Sequence, residues 1–153
     1  MKKIFAMLLA LALLMVAGAA MAEEFETEKN NALAALKVSM PDAVVDYTVR
    51  ERDDGRYEWD VFFTQGNQIG VCEVLESNNE IRKVKLYDKT EGMLLASEAM
   101  AMLAEKKGAI TVTNLDLERD DGHLRYEGDA QLDGKRYEFE MKVTGEIIEW
   151  ERD

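Results

Sequence analysis

Carboxylates dominate the chemistry open to this chain, which carries 31 Asp and Glu against 19 Lys and Arg, one His and one Cys. Nucleophilic catalysis needs a Ser, Thr or Cys held beside a base. The only histidine, His123, directly follows Asp121-Gly122. That turn sequence places it at an exposed hairpin tip, with nothing to orient an imidazole. A zinc site usually draws three or four ligands from Cys and His, and here Cys72 and His123 stand 51 positions apart. No glycine-rich phosphate loop is present. The sequence therefore predicts no catalytic residue, no metal ligand and no cofactor, and a protein that is not an enzyme.

With so many acids, a suggestive spacing between two of them carries no information by itself. Asp53-Asp54 and Asp120-Asp121 stand out because they recur. A calcium site is one reading, since hard cations take several oxygens. EF-hand-like loops space their acids at alternate positions, whereas these are adjacent and precede Gly, so a tight turn is preferred. A paired-carboxylate hydrolase is a third reading, and it would require a pocket holding two facing acids. Cys72 sits between Val71 and Val74 in a largely apolar stretch. It reads as a small buried hydrophobe, with a reactive thiol or an intermolecular bridge as the alternative.

The recurrence extends beyond the acids. Glu51-Arg52-Asp53-Asp54-Gly55 returns as Glu118-Arg119-Asp120-Asp121-Gly122, 67 residues later. Arg56-Tyr57-Glu58 then matches Arg125-Tyr126-Glu127, and Gly66 matches Gly134. Ser77-Asn78-Asn79-Glu80 matches Thr144-Gly145-Glu146. Each copy reads as a helix followed by four short strands.

The first helix is predicted over 27–38, with Phe25, Ala32, Leu33, Leu36 and Met40 on one stripe and Pro41 as its stop. The second is predicted over 91–106, with Thr90 as N-cap and Gly108 as its end. Its stripe holds Leu95, Ala99, Met102 and Leu103. The strands alternate: Tyr57, Trp59, Val61 and Phe63 share one face, and Glu58, Asp60 and Phe62 the other. In the second copy Tyr137, Phe139, Met141 and Val143 oppose Arg136, Glu138, Glu140 and Lys142. This pattern predicts antiparallel sheets with one wet side. Asp54-Gly55, Asp121-Gly122 and Asp133-Gly134 are hairpin turns. A bulge near Thr113-Asn114 reconciles two strand segments that are out of phase. Phe62 is an aromatic among acids. It is the one residue assigned to partner binding, with a place in a core between the two units as the alternative.

The fold class is thus α+β, with two tandem helix-plus-four-strand antiparallel repeats over 23–88 and 89–153. A unit of about 60 residues is marginal alone, and one cysteine allows no intrachain disulfide. The joint is only Tyr87 to Thr90. The units are therefore expected to pack together, with their sheets joined edge to edge as one arrangement.

The chain opens with Lys2-Lys3, an apolar run from Ile4 to Ala20, and Ala20-Met21-Ala22 before Glu23-Glu24. Residues 1–22 read as a signal peptide cleaved after Ala22. The alternative is a membrane anchor at the short end of the spanning range. No Cys lies near the cleavage site to take a lipid. Loss of Lys2 and Lys3 moves the formal charge from -12 to -14. Such a chain repels nucleic acid and anionic membrane, and favours basic partners or cations. The expected place is secreted or in the cell envelope, without membrane insertion after cleavage.

The segment from Gly108 to Gly122, then Arg125-Tyr126-Glu127, Tyr137 to Val143 and Thr144-Gly145-Glu146-Ile147, resembles a PepSY domain. The first copy departs from the pattern, with Asn79-Glu80 where the family has Gly-Glu. The resemblance implies an inhibitory or regulatory module, of the kind found in propeptides of secreted metallopeptidases and in other exported proteins. Tandem versions are similar in architecture to the β-lactamase inhibitor proteins. The family brings no catalytic residues. It implies a protein partner in another molecule, such as a secreted peptidase. The alternative is an acidic cation-binding or envelope-structural protein.

Overall fold

The computed structural model describes residues 22–153, so the signal-peptide reading falls outside the described residues except for Ala22. Helix α1 covers residues 22–39. In its first turns Thr27 Oγ1 donates to the Glu23 carbonyl at 2.9 Å, and Lys29 pairs with Glu26 at 2.9 Å.

Residues 32–153 hold two antiparallel meanders, each with its strands in chain order. The first sheet comprises β1 (Val44–Asp53), β2 (Arg56–Gln65), β3 (Gln68–Leu75) and β4 (Ile81–Asp88). Helix α2 (Ala96–Lys107) follows, then β5 (Thr111–Asp120), β6 (His123–Leu132), β7 (Lys135–Lys142) and β8 (Ile147–Arg152). The α+β class with two similar helix-and-four-strand halves is borne out.

The hairpins form where Asp-Gly pairs stand. Asp54 and Gly55 take φ of 45° and 80°, Asp121 and Gly122 of 47° and 81°, and Asp133 and Gly134 of 51° and 73°. Positive φ at both central residues gives the turn whose twist matches that of the strands. The expected bulge is present: β5 skips Thr113 between Val112 and Asn114. A matching bulge in β1 skips Asp46.

Helix α2 starts later than Thr90. Gly92 turns the chain at φ 83°, and Met93 N–H donates to the Thr90 carbonyl at 3.3 Å. The helix is capped instead at Leu95, whose N–H donates to the Glu98 carboxylate at 2.8 Å. Gly108, at φ 115°, ends it as expected.

The register sharpens the repeat. Asp53 pairs with Arg56 as Asp120 pairs with His123. The offset is therefore a constant 67 through the first three strands, and Trp59, not Tyr57, is the counterpart of Tyr126. The offset falls to 66 only after the third turn, where Asn79 (φ 58°) and Gly145 (φ 94°) occupy the same place.

Two cores result. In the smaller, Ala32 and Leu36 of α1 pack on Trp59, Val61, Phe63, Cys72 and Val74. In the larger, Ala96, Ala99, Met100 and Leu103 of α2 meet Leu115, Leu117, Tyr126, Phe139 and Met141 of the second sheet. That core also takes Val49, Phe62, Ile69 and Val71 from the other face of the first sheet. The central strands of sheet one are thus buried on both sides, and its expected wet side is reduced to a margin at Glu51, Glu73 and Lys83. Sheet two keeps one. The sheets are separate rather than joined at an edge. Strand β5 lies against β1, and side chains clasp the halves together.

Candidate functional site

Phe62, expected as a partner-binding aromatic, is 2% exposed. Its ring lies 6.4 Å from Tyr47 and 6.3 Å from Tyr126 of the other half. It fills the core between the halves, and a partner cannot reach it. Burial of such a ring is worth about 1.5–3 kcal/mol, which explains its place among acids. Cys72 is fully buried, and burial pushes its thiol up to about 12, far from a reactive thiolate. His123 is exposed at the start of β6.

Three contacts fix the halves. Asp46, in the β1 bulge, accepts from Ser97 N–H at 2.9 Å and from Ser97 Oγ at 2.5 Å. A residue of the first half therefore satisfies an open donor in the first turn of α2. Lys85 of β4 bonds Asp116 at 2.5 Å and Glu118 at 2.7 Å of β5. Burial works to lower the Lys85 ammonium, but those two carboxylates outweigh it and hold it above its ordinary range. Tyr87 Oη donates to the Leu117 carbonyl at 3.5 Å.

Two groups of acids then remain. The first lies beside Phe62. Asp60 is 4% exposed and Glu58 6% exposed. Glu51 pairs with Glu58 across β1 and β2, and Asp60 with Glu73 across β2 and β3. Burial, and then Glu51, raise the Asp60 carboxyl to about 9, so it carries a proton at neutral pH and hydrogen-bonds Glu51. Arg82 approaches Glu58 at 3.5 Å, and Lys83 meets Glu73 at 3.2 Å. Two acids do face one another here. Asp60 is buried, whereas its partner Glu51 is half-buried and lines a depression of about 280 Å³ with Arg52, Asp129 and Arg136.

The second group is open. On the outer face of sheet two, Asp116, Glu127, Glu140 and Glu149 are successive cross-strand partners over all four strands. Asn114, Asp129, Glu138 and Glu151 form the next row. These rows line a shallow depression of about 370 Å³. Like charges directly opposite one another on a sheet repel. Cations offset part of this: Arg125 meets Glu140 at 2.9 Å, Arg136 meets Asp129 at 3.0 Å, and Lys85 reaches Asp116. Among the described residues, Glu127, Glu138, Glu149 and Glu151 have no ion pair. Burial, then Glu140 and Glu118, raise the Glu127 carboxyl. No group of three or more His, Cys, Asp or Glu among the described residues is arranged to hold a metal ion.

The sequence reading placed Glu138 and Glu140 on one face but not the rows. Strand alternation puts each acid on the face, and the register of three hairpins is needed to line them up.

No protein-family model matches this chain, and no curated protein matches it. Among solved structures it is similar to a candidate lipoprotein from Clostridium difficile 630. The two share 14% identity with a TM-score of 0.44, over 80% of this chain and 90% of the other. No helix among the described residues is long and apolar enough to cross a membrane.

Proposed function

We propose that this protein is an exported, non-catalytic binding module of PepSY type that receives a basic protein partner on the outer face of its second sheet. The supporting observation is the Asp116–Glu127–Glu140–Glu149 row, which holds like charges side by side on the open outer face of sheet two. A cationic surface docked there relieves that repulsion and is steered in by the same field. The PepSY resemblance adds the finer reading of an inhibitor or regulator acting on a protein such as a secreted peptidase. Export rests on the reading of residues 1–22.

The test compares two baits against the secreted fraction, the chain from Glu23 onward and the same chain carrying Glu127→Lys and Glu140→Lys. The expected result is one basic protein held at low salt by the first bait and lost by the second. Equal capture by both moves the site elsewhere, and no capture at low salt removes the proposal. The same acidic row favours a second reading, cation binding. Calorimetry with calcium separates the two, because saturable uptake with a sharp stoichiometry supports the cation.

A further inference from the structure

The outer edge of β8 adds a direction to this face. Of the four edge strands, β1 and β5 lie against one another. Strand β4 is basic, with Arg82, Lys83 and Lys85. Strand β8 (Ile147–Arg152) is its counterpart in the second half and is acidic, with Glu149 and Glu151 where β4 has Lys83 and Lys85. Among the described residues no strand pairs with its outer side. An edge strand presents a row of unpaired N–H and C=O groups. Glu149 and Glu151 stand opposite Glu140 and Glu138 on the acidic face. Trp150 stands opposite Phe139 on the helix-packed face, where it stacks on Tyr137 at 4.8 Å. Ile148, which a bulge in β8 leaves without a cross-strand partner, is 45% exposed beside them.

We infer that β8 accepts an extended segment of the basic partner as a ninth strand, with Lys or Arg at alternate positions and apolar residues between them. Successive side chains of an added strand point to opposite faces. One set would lie along Glu149 and Glu151, and the other along Ile148 and Trp150. Backbone pairing supplies affinity and the alternation supplies specificity. A second copy of this chain is disfavoured as the occupant, since two chains of charge -14 from Glu23 onward repel one another. The inference rests on the acidic-face reading and narrows it to one edge.

The experiment uses three labelled peptides and the chain from Glu23 onward. One alternates Lys and Val. One has the same composition in two blocks. The third alternates but is N-methylated at every second residue to block backbone pairing. The alternating peptide is expected to bind about tenfold more tightly than either control, and Glu149→Lys with Glu151→Lys is expected to abolish the difference. If all three bind alike and salt removes them together, the acidic face stands and the edge inference falls. If none binds at low salt, the face reading falls with it. Growth of sedimentation mass without peptide would make a second copy the occupant and overturn the inference.

Discussion

The outer faces of the two sheets are the same surface of the same fold, put to opposite uses. At the constant offset, Val49, Phe62 and Val71 of sheet one correspond to Asp116, Asp129 and Glu138 of sheet two. The first set is buried under α2 and the second half. In the second set Asp129 and Glu138 line the open depression, and Asp116 is half-buried against Lys85. Even the buried acid obeys the correspondence, since Asp60 stands where Glu127 does. A duplicated unit that is too small to be stable alone needs one face to hold its twin. The other copy's face is then released from packing and free to carry charge.

The comparison is broken most severely by giving sheet one the residue of sheet two. Phe62→Asp is expected to cost about 4–5 kcal/mol, through a lost core ring and a buried charge. Urea unfolding measures it, and a loss under about 1 kcal/mol would mean that the ring does not hold the halves together. Lys85→Met should cost about 2–3 kcal/mol, because Asp116 and Glu118 lose their cation at the seam. That loss should be larger in low salt than in high.

Asp60→Asn should leave stability unchanged near pH 4 and stabilise the protein increasingly as pH rises to 8, by several kcal/mol. The sign follows from a folded pKa of about 9 against an ordinary 3.8. Between those values the folded chain holds a proton that the unfolded chain releases, so stability falls as pH rises. The amide mimics the protonated acid and removes that slope. Parallel pH profiles for variant and parent would disprove the buried protonated pair. Glu140→Gln on the open face should gain only a few tenths of a kcal/mol by easing cross-strand repulsion. Thermal melts would register it, and a destabilisation would show that the Arg125–Glu140 pair outweighs the row.

The elements themselves could be read from the sequence because local rules specify them. Asp-Gly pairs dictated the hairpins, two-residue alternation gave the strands, and out-of-phase segments gave the Thr113 bulge. Helix α2 was misplaced at its start because Thr90 is a good cap by type, while Gly92 turns the chain before a helix can begin there. The burial of sheet one was invisible for another reason. Glu58 and Asp60 look like solvent-facing acids until a second half covers them, and no local pattern reports that cover. Phe62 was the one residue in the strand that signalled it. The acidic rows needed pairing between residues 9 to 15 apart along the chain, which alternation within one strand does not contain.

The bond from Asp46 to Ser97 has a consequence for how the chain tolerates damage. A protease that nicked the joint between Tyr87 and Thr90 would not release two modules. The C-terminal piece would begin its helix on an acceptor supplied by the N-terminal piece, the Asp46 carboxylate that takes the Ser97 N–H, and each would cover the other's greasy side. The cut protein should therefore migrate as one particle under native conditions, and two separately made fragments should recombine into it.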